Sequence, residues 1–136
     1  MLLGIGVSSY VEVTAPIGLH VEYGSCEIND DGSATIKVGT SSHGQGHDTA
    51  FSMLVNDVLG IPMDQVNHVD ADTETVARGS GTMGSRSLQA GGSAVYEASK
   101  VVLEKGKQLA ATLLEASADD IVVGDGALQV LSLIHI

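Results

Sequence analysis

The chain has 136 residues, 43% of them hydrophobic, and a formal net charge of −11 from six basic and seventeen acidic side chains. That is enough apolar material for one domain, while so few Lys and Arg argue against a nucleic-acid backbone or an anionic membrane surface as partner. The single cysteine, Cys26, excludes an internal disulfide and a cysteine-built metal centre.

From the start, Ile5 to Val13 alternates well enough to be expected as a strand, broken by Pro16 and Gly18. The opening residues lack the basic region and cleavage site of a signal peptide. Glu22 to Asn29 and Ala34 to Gly39 read as an antiparallel hairpin around a tight turn at Asp30 to Gly32. Phe51, Leu54, Val55 and Val58 fall on one helical face, which Gly60 and Pro62 end. A short strand is expected over Val66 to Val69 and a polar loop after it.

Leu88, Gly91, Val95, Ala98 and Val102 mark a second, longer helix. Its first turns are rich in Gly and Ala, so another backbone can approach closely. Gly106 is expected to kink or divide it. "DDIVVGDGALQV" reads as a closing hairpin. The predicted class is α+β: antiparallel hairpins and short strands with two main helices. There is no internal repeat and no run near about 18 apolar residues, so no spanning helix is expected. A cytoplasmic, reducing setting fits the lone cysteine.

Two junctions draw attention. In "GTSSHGQGHDTAF" a strand end runs through Gly44, Gln45 and Gly46 into a helix. Glycines let a ligand touch backbone, and a helix start offers unpaired N–H groups that favour an anion. Gln45 adds an uncharged amide able to hydrogen-bond a ligand oxygen. In "GSGTMGSRS", Thr82, Ser85 and Ser87 supply hydroxyls at the start of the second helix, beside Arg86. Each loop alone is equally a plain turn or a serine N-cap; together they suggest a ligand with several phosphates or polar groups.

Other chemistry fits less well. His43 and His47 are spaced like a helical zinc pair, but the intervening Gly-Gln-Gly costs about 2 kcal/mol of helix propensity, and no metalloprotease glutamate accompanies them. His20 and His68 read as isolated structural residues, and Asp70 and Asp72 as turn or loop-capping residues. The serines lack a neighbouring His with a helper carboxylate. Neither the phosphate-loop nor the dinucleotide-fold glycine spacing is present.

"DGSATIKVGTSSHGQGHDTAFSMLVNDVLGIPMDQVNHVDADT" followed by "GSGTMGSRSLQAGGSAVYEASK" resembles the molybdenum-binding large chain of the xanthine dehydrogenase/aldehyde oxidase family, in its carbon-monoxide-dehydrogenase-type branch. The resemblance covers nearly all of Gly4 to Val130 and rests on the two loops at this spacing. It implies a molybdopterin dinucleotide, in bacteria commonly molybdopterin cytosine dinucleotide. Gln45 then matches the glutamine whose amide approaches an oxo ligand of molybdenum, the one catalytic role expected here. Gly44, Gly46 and His47 belong to the same cofactor-binding stretch. Thr82, Gly84, Ser85 and Ser87 match the loop that holds the pterin side and its phosphates, while Met83 and Arg86 stand at variable positions. No protein side chain is expected to ligate the metal.

The resemblance further implies hydroxylation of a small-molecule substrate with oxygen from water. Electrons would leave through iron–sulfur clusters on a small subunit and FAD on a medium subunit. The expected general base is a glutamate farther downstream, so this segment alone is expected to be inactive. The expected organisation is a partial molybdopterin-binding domain over 1–130. The tail Leu131 to Ile136, "LSLIHI", matches the translation of a sequencing-library transposon end and is expected to be adapter-derived. The alternative is a stand-alone anion- or cofactor-binding module without catalysis.

Overall fold

The computed structural model describes residues 3–16, 18, 20–124 and 126–131. Its centre is a three-stranded sheet of β1 (Gly24–Ile28), β2 (Ala34–Val38) and β3 (Val66–Val69), in that order. β1 and β2 form the expected antiparallel hairpin, with Cys26 opposite Ile36. Asp31 shapes its turn by accepting from the N–H (3.0 Å) and hydroxyl (2.6 Å) of Ser33. β3 runs parallel to β2, pairing Ile36 with His68 and Lys37 with Val69. Parallel neighbours need a crossover, here α1 (His47–Leu59). Gly60 closes that helix in the left-handed conformation, at φ 70°.

α2 begins with a π-helical stretch, Ser87–Gly92, and continues as α-helix over Ser93–Leu113. Small residues set its approach to the sheet and α1. A Cβ on Gly24 would lie 2.7 Å from the backbone of Ala94, so β1 and α2 touch main chain to main chain. The core between sheet and helices comprises Ala34, Ile36, Val38, Phe51, Val55, Leu59, Ile61 and Val95, all buried. Cys26 packs against it, and partial burial raises the thiol's pKa against the opposing hydrogen bond of Ser99. Beyond α2 lies a two-stranded antiparallel hairpin, β4 (Ile121–Gly124) and β5 (Ala127–Val130).

The α+β class and both hairpins agree with the sequence reading, and two expectations do not. Ile5 to Val13 forms no strand: Ile5 and Val11 are 90% and 100% exposed. Its alternation suits a ladder, but a ladder needs a partner edge, and no other described segment supplies one. Gly106 does not divide α2, which continues to Leu113. A Cβ there would come within 3.0 Å of Leu128, so glycine serves the packing of β5 on the helix. Of the expected adapter-derived tail, all but Leu131 lies outside the described residues. No helix among the described residues is long and apolar enough to cross a membrane.

Candidate functional site

The two glycine loops converge. Gln45, His47 and Ala50 on one side and Thr82, Gly84, Ser85 and Ser87 on the other line a single cavity of about 340 Å³. Gly44 and Gly46 flank Gln45 at φ 101° and 79°, with open space where side chains would stand. L-residues avoid such angles, so glycine is needed to turn the chain this sharply into α1. Thr82 ties the loops together: its hydroxyl accepts from Ser41 N–H (2.8 Å) and donates to Ser41 C=O (2.7 Å). Gly84 and Ser85 both take positive φ, and Gly84 C=O accepts from Ala15 N–H at 2.9 Å. The Ser85 hydroxyl donates to Glu12 at 2.8 Å.

Arg86 also lines the cavity, and its guanidinium is engaged within the protein. Its side chain is fully buried, ion-paired to the equally buried Glu22, and donates to the carbonyls of Gly81 (2.6 Å) and Val21 (2.8 Å). Glu22 also accepts from Tyr23 N–H (2.8 Å) and Ser80 N–H (3.3 Å). Beneath this pair the loop backbones press together: a Cβ on Gly39 would lie 2.6 Å from Gly79 Cα. The second loop is therefore a rigid shelf built on an internal ion pair.

The first loop keeps its polar groups at the surface. Gln45 Oε1 accepts from His43 N–H at 2.5 Å, which leaves both amide hydrogens of Nε2 for a ligand. Neither helix has a side-chain cap: Gly46 precedes α1 and Arg86 precedes α2 with no capping hydrogen bond. Two sets of unpaired helix-start N–H groups thus border one cavity.

His47, 4% exposed, is stacked on Phe51 with ring centroids 5.0 Å apart. Both its ring nitrogens are buried without a hydrogen-bond partner among the described residues. Burial first, then the neighbouring His68, hold its pKa below the ordinary 6.5, against the opposing pull of Asp70 and Asp48. An orphaned buried imidazole is costly unless a ligand satisfies it.

The family described as "Molybdopterin cofactor-binding domain" matches residues 1–133. The chain belongs to this family. This molybdopterin-binding domain is 39% identical over 140 residues to the nicotine 6-hydroxylase large subunit of Paenarthrobacter nicotinovorans, covering 95% of this chain and 17% of that one. It is 34% identical over 130 residues to the carbon monoxide dehydrogenase large chain of Hydrogenophaga pseudoflava, covering 88% and 16%. A crystal structure of a Cu,Mo-CO dehydrogenase superposes with a TM-score of 0.79 at 30% identity, over 90% of this chain and 16% of that one. The domain thus spans about a sixth of the length of these relatives.

The donor set suits a molybdopterin group. Uncapped helix starts and an unpartnered imidazole meet oxyanions, and open glycines admit a flat ligand against backbone. Sequence reasoning missed Glu22, Asp70 and His68 as supports of the loops. Glu22 stands 64 positions from Arg86, and no local pattern joins them.

Proposed function

We propose that this domain is part of the large subunit of a molybdenum hydroxylase and binds molybdopterin cytosine dinucleotide. The whole enzyme would hydroxylate or oxidise a small molecule with oxygen from water. It would work with an iron–sulfur small subunit and an FAD-bearing medium subunit in the cytoplasm. The "large subunit" and "large chain" relatives support this reading, as does the site. The single observation that carries it is the convergence of two uncapped glycine-loop helix starts on one cavity beside the orphaned His47.

When bound, the cofactor supplies the two-electron redox centre. The residues of this chain would bind and orient it. Gln45 would offer its amide hydrogens to an oxygen of the group. The backbone N–H groups at the start of each helix and the Ser87 hydroxyl would receive phosphates, and His47 an oxyanion edge. Gly84 and Ser85 would shape the second loop around the pterin side, and Thr82 would lock it to the first. A cavity of about 340 Å³ takes only part of a dinucleotide, so other parts of the subunit would enclose the rest.

The test is direct. The full-length polypeptide is expressed with cofactor maturation, and molybdenum is measured by mass spectrometry. The nucleotide freed by acid hydrolysis is identified by chromatography. Equimolar molybdenum and cytidine monophosphate are expected. Absence of both metal and pterin would overturn the reading in favour of a non-catalytic binding module. Metal with a different nucleotide would correct the cofactor alone.

A further inference from the structure

The parallel register of β2 and β3 carries the end of β3 alongside the chain as it leaves β2 for the Gln45 turn. Two side chains there hold that turn from opposite ends. Asp70 Oδ2 accepts from Ser42 N–H at 2.8 Å, anchoring the limb that rises into Gly44. His68 Nδ1 pairs with the carboxylate of Asp48, in the first turn of α1. The other His68 nitrogen lies 3.9 Å from Asp70 Oδ2, so the two anchors adjoin. The His68 side chain is 4% exposed and meets Phe51 edge-on at 5.6 Å, on the ring that also carries His47.

We propose that Asp70 and His68 are positioning residues for the Gln45 turn, one fixing its entry through Ser42 and the other its exit through Asp48. A turn with glycines at both sides of Gln45 has no stiffness of its own. Its short internal bond, Gln45 to His43, moves with it. Stiffness must come from outside, and on the entry limb the tie to Ser42 N–H is a carboxylate's. A charge-assisted bond to a backbone N–H is stronger than a neutral one. The groups whose charges act on His47 are His68, Asp70, His43 and Asp48, so the same pair also contributes to the field at the imidazole.

The bearing on cofactor binding rests on the function proposed above, whereas the bearing on the turn does not. The experiment compares wild type, Asp70→Ala, Asp70→Asn and His68→Phe in the full-length polypeptide. Amide hydrogen exchange of residues 41–46 is the first readout. Asp70→Ala should speed it at least about tenfold, the lower range for one lost hydrogen bond to a charged group. Asp70→Asn keeps an acceptor oxygen but loses the charge and should fall between wild type and Asp70→Ala. Thermal midpoints should change little in either.

The second readout is titration of His47 by exchange at its C2 hydrogen. It should shift down in Asp70→Asn and up in His68→Phe, because Asp70 raises the His47 pKa and His68 lowers it. A merely structural role would not move it. The third is molybdenum and pterin retained through gel filtration, which should drop severalfold in Asp70→Ala and recover in Asp70→Asn. Wild-type exchange in Asp70→Ala, or an Asp70→Asn variant as disturbed as the alanine, would overturn the proposal. Wild-type protein lacking metal and pterin would sink the functional reading instead, while the exchange and titration readouts still decide this one.

Discussion

Gly39 to Gly46 and Gly79 to Ser87 both feed a helix that starts without a side-chain cap, yet opposite means hold them. The second loop wraps a buried charge: Arg86 and Glu22, both fully enclosed, collect two backbone groups of the loop, Gly81 C=O and Ser80 N–H, and two of the preceding segment, Val21 C=O and Tyr23 N–H. The first loop has no internal ion pair; side chains on β3, just after it and on α1 hold its margins, and Thr82 of the second loop ties down Ser41. A glycine loop is therefore not inherently mobile. What decides is whether its backbone donors and acceptors end on a rigid partner. The difference also divides the labour expected of a ligand site, a shelf on an internal ion pair on one side and an exposed amide on the other.

The contrast breaks most sharply at the ion pair. Arg86→Met leaves the Glu22 carboxylate buried without its partner, and removing one member of a buried pair costs about 3–5 kcal/mol. That is a large share of any domain's stability. Chemical denaturation should show it as a lowered midpoint. Arg86→Met combined with Glu22→Gln should recover part of the loss, because the uncompensated charge is gone. A loss below about 1 kcal/mol for the single variant would mean that the shelf does not depend on the pair.

Next come the glycines. Gly39→Ala would drive a methyl group to 2.1 Å from Glu22 Oε1 and 2.6 Å from Gly79 Cα. The obstruction includes backbone and cannot rotate away, so about 1–3 kcal/mol is expected. Gly44→Ala meets nothing within 4 Å and carries only the strain of φ 101°, about 1–2 kcal/mol. Unfolding midpoints of the two variants, measured side by side, separate packing from conformational strain. A Gly39→Ala variant as stable as wild type would remove the close approach of the loops.

The hairpin, both helices and β3 were legible because each has a period and a punctuated end: Asp31 and Gly32 at the turn, Gly60 after α1. The glycine loops were legible as chemistry, and the structure brings Gln45, His47, Thr82, Gly84, Ser85 and Ser87 to one cavity. The failures share a cause. The period of Ile5 to Val13 specifies a pleat but not the edge it pairs with. Gly106 reads as a breaker because Leu128, which fills its space, is distant in sequence. Asp70 and His68 looked like a turn residue and an isolated histidine, since only the parallel register places them beside Ser42 and Asp48. Arg86 stands beside the loop hydroxyls in sequence, but only the fold shows it paired with Glu22.

His47 gives a smaller, pH-dependent effect on the first-loop side. Its folded pKa lies below the ordinary 6.5, so the unfolded chain binds the proton more readily. Stability from this group is fully present above about pH 6.5 and is lost as pH falls from there through the folded value. The perturbed carboxylates Asp31 and Asp72, both lowered from 3.8 by hydrogen bonds, titrate too low to intrude at pH 5.5. Denaturation midpoints at pH 7.5 and 5.5 should therefore differ in wild type. The difference should narrow in His47→Phe, which keeps a ring against Phe51 but has nothing to protonate. An unchanged difference would place the pH sensitivity elsewhere.

The smallest structural effect should come with a large functional one. Gln45 is exposed, and its side-chain bond is to a backbone N–H two residues away. Gln45→Ala should shift stability by no more than about 0.5 kcal/mol. Val55, by contrast, is fully buried among the core residues, and Val55→Ala should cost more than 1 kcal/mol by leaving a cavity. In the full-length protein the order should reverse for cofactor chemistry. Gln45→Ala should depress turnover per molybdenum, because the amide proposed to meet the bound group is gone while the shelf on Arg86 stays intact. Val55→Ala should retain turnover per molybdenum while yielding less folded protein. Turnover normalised to metal content, read beside the unfolding midpoint, separates the two. Equal losses on both measures in both variants would show that the Gln45 side of the cavity has no chemical role of its own.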